Sequence, residues 1–288
     1  MSKTFPTVGI IADGPTAGMF LSPARSLGVE LISCDSKDAA HGNLQKCDVV
    51  TIADQPNSLT IAKKLEAEGI TVRPSFSAMS AASQTMNSAV DQAIQICVMV
   101  ARSPHGQATT WAPSEIHRSD NRWSMSISPA PQLTGAMLEK AQKLALDFSA
   151  QLGAVGVLAV EVSVKDDDIS VVNVLMHPHE SGNWTVDGSV TNQYEQHLRA
   201  ILDLPLGDPS MTATYVVTGN FYSGDKPNMY RPYLHLMART PALKFHQYKN
   251  SGAPGELMGH ITLAGDDLPK IIEEIEHALQ YLQGEIDE

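Results

Sequence analysis

The pattern of apolar and polar positions is sharpest between Gly153 and Arg199. Val155–Val164 is rich in β-branched residues, Ile169–Leu175 repeats the pattern, and the acidic stretch Lys165-Asp166-Asp167-Asp168 separates them, which predicts a β-hairpin. A polar loop dense in His, Asn, Glu, Ser and Gly follows, and then a helix from about Thr191 to Leu202, stopped by Pro205. A paired-strand platform that delivers polar side chains into a loop ahead of a helix is a common way to build a site. An ordinary hairpin with a solvated connection is the plainer alternative.

Before that stretch, short apolar runs at Thr7–Ala12, Glu30–Ser33 and Asp48–Ile52 alternate with helical patterns reaching Leu27 and spanning Ser58–Gly69. Such alternation predicts a small parallel α/β domain whose ligands sit beyond the carboxyl ends of its strands, at loops 12–18 and 52–57. Ser77–Ser88 is a small-residue segment with Met79, Ala82 and Met86 on one helical side. Ile94–Ala101 is a continuous apolar run expected to be a buried strand, and Trp111–Ser128 reads as strands, with turns at Pro104-His105-Gly106 and Ser119-Asp120-Asn121. Gly135–Leu152 carries a helical stripe (Leu138, Ala141, Leu144, Ala145, Phe148, Leu152) and Gly153 ends it. From Met211 the pattern predicts short strands with Gly, Pro and Asp turns, and Leu268–Leu282 is an amphipathic closing helix.

Composition narrows the function classes. The 288 residues can hold two or three domains. A net charge of −12 argues against nucleic-acid or anionic-membrane binding as the main task. Cys34, Cys47 and Cys97 are scattered, with no C-x-x-C spacing, as free thiols of a reducing compartment would be. No basic segment followed by an apolar run opens the sequence and no apolar run reaches membrane-spanning length, so the expectation is a cytoplasmic protein.

The central stretch also carries a long motif series: V-G-V-L-A-V-E from Val155, V-N ending at Asn173, H-x-S-G-x-W-T-x-D-G from His179, and T-x-Q-x-E-Q-H-L-R-A-I-L-x-L-P-L-G-D from Thr191. Flanking segments agree: C-D-V-V-T at 47–51, V-R-P-S at 72–75, V-M-V-A-R-S at 98–103 and M-G-H-I-T at 258–262. The series resembles the 5-(carboxyamino)imidazole ribonucleotide synthetase family, the ATP-grasp ligases of purine biosynthesis. The resemblance implies a Rossmann-like parallel-sheet domain over 1–88, an ATP-grasp lobe over 89–208 and a small β-rich module over 209–288, an α/β and α+β chain. It also implies ATP and Mg²⁺ as cofactors if the chain is active.

The sequence departs from that pattern in several places. The family's first loop, G-G-G-Q-L-G-R-M, is here Ala12-Asp13-Gly14-Pro15-Thr16-Ala17-Gly18-Met19, with a carboxylate and a proline where backbone donors approach a phosphate. Ala53 and Gln55 stand at the carboxylates of T-x-E-x-E. The family's lid, with its lysine and Gly-rich loop, has no counterpart between Met86 and Ile94. Glu161 matches the first metal-binding Glu, but its partner in the N-E pair is Val174, after Asn173. Glu180 and Asn183 replace an Asn and a His of the site loop, and Glu256-Leu257 stands where R-K precedes M-G-H.

The expected reading is therefore a degenerate paralogue without ATP-dependent ligase activity and with no cofactor, acting as a ligand- or partner-binding protein. The alternative is an active carboxylating ligase of de novo purine biosynthesis. A hydrolase or lyase using His179, Glu180 and Glu161 is a third class. The motif positions carried over are Glu161, Asn173, His179, Ser181, Gly182, Trp184, Asp187, Arg199 and His260, with Glu161 as the residual metal ligand. His177, His179 and His197 form an additional conceivable metal set, although H-x-H spacing alone says little. Expected partners are a small neutral or cationic molecule in the interdomain cleft, a second copy of the chain, and a full-length synthetase, with no nucleic acid and no membrane.

Overall fold

The computed structural model describes residues 5–286 except 13–15, 36–42, 54–56, 86–92, 120–121, 167, 224–229, 249–252 and 254. Among the described residues the strands form two sheets. The first is three-stranded and parallel, in the order β2 (Glu30–Cys34), β1 (Thr7–Ile11), β3 (Val49–Ile52). Every residue of β1 and β3 is buried, as continuous apolar runs require when helices cover both faces. Helices α1 (Thr16–Met19) and α2 (Leu21–Leu27) follow β1, and α3 (Ser58–Ala67) and α4 (Phe76–Ser83) follow β3. Helix α4 stops five residues before the expected Ser88, and Met86 lies outside the described residues.

The second sheet is mostly antiparallel. It begins with β4 (Ile94–Arg102) and adds β5 (Ala108–Thr110), β6 (Ser114–Ser119), β7 (Arg122–Ser128), β8 (Gly156–Lys165) and β9 (Asp168–Leu175). Strand β4 sits between β6 and β8, and β9 closes that edge as the second arm of the expected hairpin. Alternation sorts its side chains. Ile96, Val98, Val100, Leu158 and Val160 pack with Ala141 and Ala145 of α5 (Gly135–Gln151), which Thr134 caps. Cys97, Met99, Ala101, Val157 and Ala159 face the other way, against Trp111 and Trp184.

Beyond the hairpin, α6 (Thr185–Gly188) and α7 (Gln193–Ile201) follow, the latter capped by Asn192 Oδ1, which accepts from the Tyr194 and Glu195 backbone N–H groups at 3.0 Å. Helix α7 lies between the two sheets. Tyr194, Leu198 and Ile201 pack on Val8 and Ile10 of β1, and its other side lies on β8. Gly156 is required there: its φ is +113°, and a Cβ would meet His197 Cε1 at 2.8 Å.

The C-terminal strands extend the same second sheet. β10 (Tyr215–Tyr222) pairs with β7, β12 (Leu257–Gly265) with β10, and β11 (Lys244–Gln247) with β12 at the edge. The stretch read as strands and turns also contains a helix, α8 (Tyr230–Arg239), a correction to the sequence reading. Its proline, Pro232, sits in the first turn, where a missing N–H costs nothing. Helix α9 (Leu268–Gln283) closes the chain over β10 and β12.

Candidate functional site

Pairing of β4 with β8 sets Cys97 opposite Glu161, and pairing of β8 with β9 sets Asn173 there too. The polar loop 177–184 covers this face. Glu161 is buried, and both of its carboxylate oxygens accept from Arg118 Nη2 of β6, at 3.3 and 3.4 Å. The guanidinium lies over the Trp123 ring, 4.6 Å from its centroid. Burial pushes the Glu161 carboxyl above its usual range, while Arg118 and Asn173 pull it the other way.

Loop residues bind one another closely. His179 Nδ1 lies 2.9 Å from Ser181 Oγ, and Ser181 Oγ donates to Cys97 Sγ at 3.1 Å. Burial lowers His179 to about 3 and raises the Cys97 thiol to about 12. Both are neutral at pH 7, so neither a thiolate nucleophile nor an imidazolium acid is available here. Gln193 holds the loop: its Nε2 donates to the His179 carbonyl at 2.9 Å and to Asn183 Oδ1 at 3.0 Å, while its Oε1 accepts from the His179 N–H at 2.9 Å. Gly182 lies against that amide, where a Cβ would come within 2.6 Å of Gln193 Oε1. Glu180 accepts from Asn220 Nδ2 at 3.1 Å.

The motif residues therefore fall into three places. Glu161, Asn173, His179, Ser181 and Gly182 meet on one sheet face. Trp184 is wholly buried beneath the loop, and Arg199 pairs with Glu195 on α7 at 2.6 Å. Asp187 and His260 lie together beside β11, linked to the loop through Tyr248 and Asn183. The histidine set 177/179/197 does not converge. The His177 and His179 rings are 5.9 Å apart, and His197 is committed to the Val157 N–H through Nδ1 at 2.9 Å and to Thr51 Oγ1 through Nε2 at 2.8 Å. Among the described residues, the three-donor cluster lies elsewhere, at Asp187, His246 and His260.

Next to the hairpin a cavity of about 280 Å³ opens between the N-terminal sheet and β9, lined by Ile52, Ala53, Met79, Asn173, Met176 and His177 among others. Residues 54–56 and 13–15, which belong to the two expected ligand loops, lie outside the described residues.

Mg²⁺ asks for carboxylates converging from adjacent strands. Here Glu161 is neutralised by Arg118, the Asn173 Oδ1 accepts from the Val174 N–H at 2.9 Å, and the Val174 side chain is buried in the apolar core on the sheet's other side. The carboxylate that the hairpin brings to this face is Glu161, already paired with Arg118. Arg118, not a motif position, is the residue the sequence reading passed over. Its signal was a strand arginine five positions before Trp123. Replacing Arg118 with Met is expected to destabilise the fold by about 1–3 kcal/mol, since it strands a buried carboxylate while the arginine itself is partly exposed. The loss should shrink as the pH falls and Glu161, its carboxyl held above the usual range by burial, takes a proton, which urea midpoints across pH 4–8 would show.

The ATP-grasp domain family matches residues 60–194. The N5-carboxyaminoimidazole ribonucleotide synthase of Mycobacterium bovis is 40% identical over 197 residues, 67% of this chain and 46% of the relative. The enzyme of the same name from Bacillus subtilis is 32% identical over 188 residues, 63% of this chain and 47% of that one. The chain belongs to the N5-carboxyaminoimidazole ribonucleotide synthase family of ATP-grasp proteins. It spans about half the length of these relatives. The same fold is seen in the Aspergillus clavatus N5-carboxyaminoimidazole synthase, solved with ADP and 5-aminoimidazole ribonucleotide, at a TM-score of 0.84 and 18% identity over 98% of this chain and 99% of that one. The family motifs thus account for the loop, α7 and the M-G-H strand. Only ten residues, 84–93, separate α4 from β4. Among the described residues no helix is long and apolar enough to cross a membrane.

Proposed function

We propose that the chain is an ATP-dependent ligase of its family's type, carboxylating the amine of 5-aminoimidazole ribonucleotide with bicarbonate in purine biosynthesis. The observation that carries this reading is the 40% identity to a synthase of that name over 197 residues, together with the family loop held rigidly over the Glu161 face. In this reading the cavity beside Ala53 and His177 receives the ribonucleotide, and the partly exposed Arg118 supplies the positive charge beside Glu161. Positioning and charge neutralisation are what phosphoryl transfer asks of a protein.

A second reading, a non-catalytic family member that binds a ligand, a second copy of itself or a full-length synthetase, is favoured by specific observations. Glu161 is already ion-paired, Val174 stands where a second carboxylate would, and residues 84–93 are too few to hold a subdomain. One experiment separates the two: phosphate release from Mg²⁺–ATP by the purified chain, with bicarbonate and 5-aminoimidazole ribonucleotide added singly and together. Turnover that requires both co-substrates is expected for the ligase. Background release in every arm, with the ribonucleotide alone still raising the melting temperature, would leave the second reading in its place.

A further inference from the structure

Away from the Glu161 face, three side chains distant in sequence come together: Asp187 of α6, His246 of β11 and His260 of β12. One donor atom from each lies within 4.8 Å of the other two. We propose that this trio is a binding site for one divalent transition-metal ion, with Zn²⁺ as the ion its donors suit best.

Sheet register builds the site. His246 pairs directly with His260 across β11 and β12, and their rings stack with centroids 4.5 Å apart and planes 15° from parallel. Asp187 Oδ2 reaches His246 Nε2 at 2.7 Å. Behind His260, its Nδ1 is engaged by the Tyr248 hydroxyl, which itself accepts from Asn183 Nδ2 at 3.0 Å. With Nδ1–H donating to the tyrosine oxygen, the ring is fixed and Nε2 is left as the ligand atom, the usual arrangement behind a metal-bound histidine. That other atom, His260 Nε2, is buried and has no partner among the described residues. Native structures rarely leave such an atom unpaired. An ion pair between Asp187 and His246 explains those two residues but leaves His260 Nε2 unsatisfied. A bound cation accounts for all three.

The donor chemistry selects the ion. Two imidazole nitrogens and one carboxylate oxygen suit Zn²⁺ and its neighbours Co²⁺ and Ni²⁺, whereas Mg²⁺ and Ca²⁺ take oxygen sets. Zinc bonds of roughly 2.0–2.2 Å place tetrahedral ligand atoms about 3.3–3.5 Å apart, and an imidazole binds a metal in its ring plane, so the His246 ring must turn out of its stack on His260 as the donors draw together. The Asp187 and His246 side chains, 20% and 25% exposed, have room to move. Their exposure also opens the fourth position to water. The ion would tie α6, directly after the site loop, to the two outermost strands of the second sheet.

The test uses the full chain, freed of metal by a chelator and titrated with Co²⁺, whose visible absorption intensifies in tetrahedral sites. One equivalent is expected, displaced by Zn²⁺ and not by excess Mg²⁺, with Zn²⁺ raising the melting temperature. His246→Gln and Asp187→Asn, both at partly exposed positions, should each weaken binding at least tenfold and abolish the thermal shift. Tyr248→Phe, which removes the group behind His260, should weaken it roughly tenfold. His105→Gln, at an exposed turn histidine, should change nothing. Absence of stoichiometric Co²⁺ binding by the parent chain, or unchanged binding in both ligand variants, overturns the site.

Discussion

Lowering the pH from 7 to 4 is expected to destabilise this protein steeply, with buried histidines as the main cause, His179 and His197 among them. Burial holds His179 and His197 at about 3 in the folded chain, against an ordinary 6.5. Both accept backbone N–H groups at a ring nitrogen, His179 from Ser181 and His197 from Val157, which requires the neutral imidazole. A folded-state value below the unfolded one means that the unfolded chain binds the extra protons. The stabilisation is therefore complete above pH 6.5 and is lost progressively toward pH 3. Each histidine contributes about 1.4 kcal/mol per pH unit inside that window, or about 2.7 kcal/mol for the two together. Glu161 opposes the trend, because its raised value lets the folded chain take up a proton first. Urea midpoints measured every half unit from pH 7.5 to 4.5 give the slope. His197→Gln should lower stability at neutral pH yet cut the slope by about a third, because His260 is also held well below its ordinary value by burial, and an unchanged slope would remove His197 as a source.

A methyl group on Gly259 is expected to be the most damaging small substitution in the chain. Its Cβ would meet Phe221 Cζ at 2.6 Å and Cε1 at 2.8 Å, and would also run into the backbone carbonyl of His246. Phe221 is directly opposite in register and fully buried, and a strand carbonyl cannot rotate away without breaking the β11–β12 pairing. Overpacking of this kind costs about 1–3 kcal/mol even where side chains can yield, and more where backbone must move. Gly259→Ala should therefore lose at least about 3 kcal/mol, a fall in melting temperature of roughly 6–12 °C. Gly18→Ala, where an added Cβ meets nothing within 4 Å, should leave the melting temperature within about a degree of the parent and serves as the control.

Much of the architecture was legible because period and burial agree. The hairpin expected at Val155–Val164 and Ile169–Leu175 is found at Gly156–Lys165 and Asp168–Leu175, and the apolar run from Ile94 is β4. Helix α8 was missed because it breaks the rule that a stripe faces inward: Leu234 and Met237 are exposed, and a proline stands near its start. The site was legible residue by residue but not as an arrangement. Nothing in linear spacing says that Cys97 faces Glu161, since that neighbourhood comes from the register of strands separated by more than fifty residues. Arg118 and His246 escaped for the same reason. Each acquires its role only from the strand or loop laid beside it, Glu161 in one case and Asp187 in the other.

The position of α7 between the two sheets bears on how this chain comes off the ribosome. The face of the β1–β3 sheet that rests on Tyr194, Leu198 and Ile201 belongs to residues 7–52, whereas its cover is made some 140 residues later. Closing a connection of that length is slow compared with local folding. Until α7 emerges, the nascent N-terminal segment displays Val8, Ile10 and Val49 as an apolar surface. Synthesis thus passes through a stage in which the β1–β3 segment is a natural client for chaperones, and the arrival of residues 193–201 is the step that releases it.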